Sequence, residues 1–208
     1  ALKAHIPVAV IGGYLGAGKT TLVNHLLRHA AGRRIAILVN EFGDLPIDED
    51  LIEAEGEDMI AISGGCICCS FGSDLTAALI KLSELAPPPD HVVIEASGVA
   101  MPGTVALSIS ILPGFALAGV VVLADGERVQ AQAEDDYIGD TILRQLSDAD
   151  VIVHSKTDLQ PDDCAVEAVE SWLQAMAPQA KIVPTTQGRV PPDIILGLTG
   201  PNAKPQAS

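Results

Sequence analysis

The chain has 208 residues, enough for one ordinary domain with a sizeable core, and 48% of them are hydrophobic, which excludes a disordered polymer. Its formal charge of −15 argues against a nucleic-acid backbone or an anionic membrane as the main partner, and no apolar run is long enough to span a bilayer. The four cysteines are not spaced as a secreted disulfide framework and nothing at the N-terminus resembles a signal peptide, so a reducing cytoplasm is the expected location.

In chain order, residues 8–11 form an apolar run suited to a buried parallel strand. The segment that follows, Gly13-Tyr-Leu-Gly-Ala-Gly-Lys-Thr20, has the spacing G-x-x-x-x-G-K-[ST] of a nucleotide-phosphate loop. Leu22, Val23, Leu26, Leu27 and Ala30 then recur at helical spacing, with Gly32 as a stop. A chance match in a Gly-rich chain competes with this reading, but strand, loop and helix in succession are the context the motif requires. Further β-branched or apolar runs lie at 35–39, 59–62, 92–94, 120–123, 151–153 and, more weakly, 182–183. Helical stretches are expected at 74–85 and 165–177. The alternation predicts a single α/β domain of the P-loop NTPase type, a mainly parallel sheet with helices on both faces. Residues 1–198 would form this domain, and the polar, Pro-bearing tail 199–208 would fray. With aromatics at 3%, the core must be aliphatic. The stretch 44–58 carries eight acidic residues and no Lys or Arg, and reads either as a solvated face or as a mobile segment that attracts cations or a partner.

Three constellations carry chemistry. The first is the phosphate loop. Backbone N–H groups of Gly13, Gly16, Ala17, Gly18 and Thr21 are candidates to cradle phosphates, Lys19 to reach the β and γ phosphates, and Thr20 to ligate Mg²⁺. Its partner is Glu95-Ala-Ser-Gly98, an acidic residue at a strand end for the Mg²⁺ shell, directly or through water, and a glycine N–H for the γ-phosphate. Lys19, Glu95 and Gly98 are therefore the catalytic candidates. The second is Ser155-Lys-Thr-Asp158, which looks like the N-K-x-D guanine motif with Ser155 in place of Asn. Asp158 can accept from guanine N1–H and the 2-amino group while the Lys156 stem packs along the base. Adenine would leave that carboxylate unpaired. A capped turn before the next helix is the plainer alternative. The third is Gly64-Gly-Cys66-Ile-Cys68-Cys69, three thiols expected to converge on one soft cation, with inert buried cysteines as the alternative. Cys164 reads as structural.

Together these motifs resemble the CobW-like family of GTP-dependent metallochaperones, in the same broad group as the urease and hydrogenase nickel-insertion GTPases. Asn40-Glu-Phe-Gly43 is similar to the family's switch element and Gly65-Cys-Ile-Cys-Cys69 to its Cys-x-Cys-Cys signature. Gln145, Ala149-Asp150 and Ser155-Lys-Thr-Asp-Leu159 follow its run into the guanine motif, and Thr185-Thr-Gln-Gly-Arg189 sits where its GTPase domain finishes. The resemblance implies a GTPase that binds GTP or GDP, Mg²⁺ and a transition metal, Zn²⁺ or next Co²⁺, for delivery to a client metalloprotein. It implies Cys66, Cys68 and Cys69 as metal thiolates, with Glu41 as a carboxylate neighbour. Many members carry a further C-terminal domain, which is absent from this chain. Val99 stands where other GTPases place a water-orienting Gln, so slow intrinsic turnover is expected, accelerated by metal, a client or self-association as a homodimer. Two alternatives stay open: a nucleotide-gated regulatory or storage module whose output is protein docking, and an ATP-dependent kinase on the same fold.

Overall fold

The structure, a computed structural model, describes residues 5–40, 47–56 and 59–197. Glu41, the rest of the switch-like segment to Gly43, parts of the acidic stretch (44–46 and 57–58) and the tail 199–208 lie outside the described residues.

Among the described residues, nine strands form one sheet: β1 (Ile6–Gly13), β2 (Ile35–Val39), β3 (Ile52–Glu55), β4 (Met59–Ile62), β5 (Cys66–Ser70), β6 (His91–Glu95), β7 (Phe115–Asp125), β8 (Val151–Ser155) and β9 (Lys181–Pro184). Their order is β3-β4-β5-β2-β6-β1-β7-β8-β9. The run from β5 to β9 is parallel, and β3 and β4 add an antiparallel edge. Two of these strands differ from expectation. β3 reads Ile-Glu-Ala-Glu and sits at the sheet edge, so it lacks the apolar run that marks a buried strand. β5 carries the three thiols, whose Cys-rich pattern suggests a metal loop rather than a strand interior.

Parallel strands need crossovers, and the helices α1 (Lys19–Arg28), α2 (Leu75–Ser83), α3 (Pro102–Ser110), α4 (Val129–Ala133), α5 (Gly139–Ser147) and α6 (Asp163–Met176) supply them, while α7 (Pro192–Leu196) follows the last strand. The helices expected at 74–85 and 165–177 start at Asp side chains. Asp74 accepts from the Ala77 N–H at 2.9 Å, and Asp162 from the Ala165 N–H at 2.8 Å. On one face, Leu22 and Leu26 of α1 and Ile195 of α7 pack on Ile11, Ile37 and Val93. On the other, α5 and α6 cover Val120, Val122 and Ile152, while α2 and α3 cover Leu38, Val92 and Ile94. Each fully buried Leu or Ile contributes about 1.5–3 kcal/mol.

Neighbouring strands β1 and β6 send their connections to opposite faces, β1 through α1 and β6 through α3. That reversal opens a crevice at the carboxyl edge of the sheet, the place where open α/β sheets bind ligands.

His154 in β8 is fully buried, and neither ring nitrogen has a hydrogen-bond partner among the described residues. Glu170 of α6 lies 3.7 Å from Nδ1, and Gln160 and Asp125 face the ring from the flanking turn and strand end. Burial pushes the imidazole below its ordinary value, against the pull of Glu170. The unfolded chain takes up this proton near pH 6.5 while the folded chain resists it. The resulting stability is complete above that pH and is lost as the pH falls through the depressed native value. Urea unfolding across this range is expected to show the decline, made shallower by His154→Leu. An unchanged slope in the variant would assign the decline to other groups.

Candidate nucleotide site and thiol strand

The phosphate loop leaves β1 at Gly13, whose φ of +132° is a conformation that L side chains rarely adopt. A Cβ there would stand 2.7 Å from the Leu123 carbonyl oxygen of β7, so the loop's exit path admits only glycine. Gly18, at φ 106°, precedes α1 without a side-chain cap, and the first N–H groups of the helix are left to a ligand.

Gly16, Gly18, Lys19, Thr20, Thr21, Glu95, Gly98 and Lys156 line one cavity of about 520 Å³, together with Leu15, Val39, Asn40, Ala96 and Ser97. The structure thus brings residues from the loops after β1, β6 and β8 into one space. Gly13, Ala17 and Ser155 are packed behind its wall, and Asp158 is exposed on the short turn Thr157–Leu159 beside it.

The charges in this cavity are mutually dependent. The Lys19 ammonium donates to the Gly13 carbonyl at 2.7 Å and reaches the Tyr14 carbonyl at 3.4 Å. Burial pushes Lys19 down and Glu95 up, and each charge opposes the shift of the other. Glu95 Oε2 is buried and has no hydrogen-bond partner among the described residues. An orphan carboxylate oxygen and the Thr20 hydroxyl in one cavity are a donor set suited to a hard divalent cation, so the residues present fit Mg²⁺.

Gly98 is held from two sides. A Cβ on it would meet Leu15 Cδ2 at 2.6 Å, so Glu95-Ala-Ser-Gly98 packs directly on the phosphate loop. From behind, the buried Gln145 of α5 donates Nε2–H to the carbonyls of Gly98 at 2.9 Å and Ala100 at 3.0 Å. Gln145 belongs to the resemblance quoted above, but its task was visible only once α5 was placed under this loop.

At the base end, Ser155 closes β8 and donates its hydroxyl to the Ala17 carbonyl at 2.7 Å, with the Ala124 carbonyl at 3.2 Å. Lys156 follows in the left-handed region at φ 59°, and its ammonium donates to Asp125 Oδ2 at 2.6 Å. Asp125 is only 4% exposed, and its other oxygen accepts the Glu127 N–H at 3.0 Å. Sequence reasoning missed Asp125. The signal was available: like Glu95, it is an acidic residue ending an apolar strand.

The three thiols do not converge. A strand alternates its side chains, so Cys66 and Cys68 face α1 while Cys69 faces α2. Cys66 Sγ accepts the Ile35 N–H at 3.3 Å. Burial pushes the Cys66 thiol up, and pushes Cys68 up to about 12, with Cys69 and Glu95 adding to that rise. Among the described residues no group of three or more His, Cys, Asp or Glu side chains is placed to hold a metal ion. The sheet register nevertheless ties the thiols to the nucleotide cavity. Glu95 pairs with Val39 and Val39 with Ser70, so Cys69 lies one residue from a row that begins in the cavity wall.

The model of the CobW/HypB/UreG nucleotide-binding domain matches residues 7–184. The chain belongs to this family. It is 34% identical over 225 residues to the zinc chaperone CobW of a Sinorhizobium species, covering 94% of this chain and 63% of that protein. It is 33% identical over 195 residues to zinc-regulated GTPase metalloprotein activator 1 of Schizosaccharomyces pombe, covering 89% and 47%. The crystal structure of Zn(II)-bound YjiA GTPase from E. coli superposes with a TM-score of 0.73 at 29% identity, over 94% of this chain and 61% of that one. The chain therefore spans less than two thirds of these relatives.

Gln145→Leu leaves the Gly98 and Ala100 carbonyls without their buried donor, which is expected to cost about 1–3 kcal/mol in urea unfolding. A neutral result would show that the backbone after Glu95 is held by other means.

Proposed function

We propose that this CobW-family domain binds and hydrolyses GTP with Mg²⁺ and carries a transition metal, zinc first and cobalt next, for delivery to a client metalloprotein. The observation that carries the reading is the 520 Å³ cavity in which the phosphate-loop Lys19 and Thr20, the orphan carboxylate of Glu95 and the base-motif Lys156 meet. The zinc chaperones and zinc-regulated GTPase among its relatives support the cargo. No described helix is long and apolar enough to cross a membrane, in keeping with a cytoplasmic carrier.

In this reading Lys19 would exchange its loop carbonyls for the β and γ phosphates, and Thr20 and Glu95 would hold Mg²⁺, Glu95 directly or through water. Bound Mg²⁺ supplies charge neutralisation to the transferring phosphoryl group. The Gly98 N–H, buttressed by Leu15 and Gln145, is available to the γ-phosphate. Asp158 accepts from the guanine N1–H and 2-amino group, and the Lys156 stem lies along the base. Val99, 60% exposed after Gly98, cannot orient a water, so intrinsic turnover is slow.

Cys66, Cys68 and Cys69, with Glu41, remain the proposed metal-holding group. Metal must displace thiol protons whose loss burial opposes, and the β5 thiols must rearrange from strand alternation to meet one ion. The register from Glu95 through Val39 to Ser70 is the proposed route by which nucleotide state reaches them. Such coupling is reciprocal.

The test is titration of the reduced protein with Zn²⁺ and Co²⁺ in Mg·GDP and in a non-hydrolysable Mg·GTP analogue, beside the Cys66→Ser, Cys68→Ser, Cys69→Ser triple variant. Tighter binding with the GTP analogue, lost in the variant, is expected. Binding indifferent to nucleotide would leave a structural site or a docking module instead.

A further inference from the structure

Ser155 occupies the motif position usually held by an asparagine, and its side chain is already committed. A hydroxyl has one donor hydrogen. Ser155 Oγ lies 2.7 Å from the Ala17 carbonyl and 3.2 Å from the Ala124 carbonyl, and both of these groups only accept. The residue is 4% exposed and does not line the cavity, whereas the next residue, Lys156, does.

We propose that Ser155 is a positioning residue that ties the base-recognition turn to the phosphate loop, and that the site does not read the purine N7. This rests on the guanine-nucleotide reading above. N7 is an acceptor, so contact with it needs a donor. To supply one, Ser155 would have to abandon the buried Ala17 carbonyl and leave that acceptor without its hydroxyl partner. An asparagine amide carries two N–H donors and could serve a carbonyl and a base together. The single hydroxyl cannot.

The tether acts on phosphate binding through peptide planarity. Within one planar trans peptide the carbonyl and the following N–H point in opposite directions. Holding the Ala17 carbonyl against Ser155 therefore turns the Gly18 N–H away from the base strand. Gly18 lines the cavity and Ala17 does not, so the N–H that Ser155 orients belongs to a cavity residue. On the base side, Asp125 takes the Lys156 ammonium at 2.6 Å and fixes the lysine stem. Purine choice is left to Asp158.

The experiment is competition binding with the 208-residue protein and Mg²⁺, using GDP, 7-deaza-GDP, ADP and inorganic tripolyphosphate as competitors. Wild type is expected to bind GDP and 7-deaza-GDP within about twofold, because the Ser155 hydroxyl is committed to the Ala17 carbonyl. Ser155→Ala is expected to weaken GDP and tripolyphosphate alike, by roughly five- to tenfold for one lost hydrogen bond. Ser155→Thr restores both, and Ser155→Asn gains a preference for GDP over 7-deaza-GDP. A wild-type loss of about tenfold or more on 7-deaza-GDP, the size of a donor contact to N7, would overturn the proposal. So would an alanine variant that weakens GDP but leaves tripolyphosphate unchanged. Should Ser155→Ala not fold, the wild-type 7-deaza comparison and the Asn variant still decide. ADP competing as well as GDP would instead sink the guanine reading, an outcome separate from the tripolyphosphate result that judges the tether.

Discussion

A strand buried on both faces can bear polar chemistry only at its ends. β1, β2, β6 and β8 are such strands, lined mainly by Val, Ile, Leu and Ala, with the buried His154 of β8 as an exception, and covered by helices above and below. Their interiors have no room for an unpaired charge. The candidate site groups therefore collect where the strands stop: Gly13 at the end of β1, Glu95 at the end of β6, Asp125 at the end of β7, Ser155 at the end of β8. Because the strands are parallel, all of these ends lie on one edge, and they bring Lys19, Glu95 and Lys156, far apart in sequence, to one cavity.

That edge is held together by hydrogen bonds that cross between its loops. Ser155 holds Ala17, Lys156 holds Asp125, and Gln145 holds Gly98, which in turn leans on Leu15. A partly desolvated Lys19 and Glu95 face each other across the phosphate end, each opposing the other's shift toward neutrality. A phosphate and a divalent cation would give both groups stronger partners, which is why this arrangement suits a charged ligand rather than an apolar one.

The thiols obey the same rule with a different result. Cys66 opens β5 and Cys68 lies in its middle, and alternation and burial leave both neutral and divided from Cys69 by the sheet. A strand that must stay paired to β2 and β4 cannot gather three side chains from both faces. Metal capture by all three then requires a change in backbone at this end of the sheet, close to the row that includes Glu95.

The sequence by itself determined the phosphate loop, the Glu95 element, the Lys156 turn and the parallel α/β class. Each depends on local spacing in a short window, and local spacing survives without knowledge of neighbours. Seven strands and three helices were legible for the same reason: uninterrupted apolar runs and helical periodicity are local. β3 escaped because an edge strand needs no apolar run, and β5 because a cysteine-rich segment reads equally as ligand loop or core. Only the tertiary structure decided that Asp125 meets Lys156, that Gln145 supports Gly98, that Ser155 faces a carbonyl instead of the cavity, and that the thiols part. Those outcomes depend on which strands are neighbours and which way each side chain points, and these are set by the packing of the whole sheet.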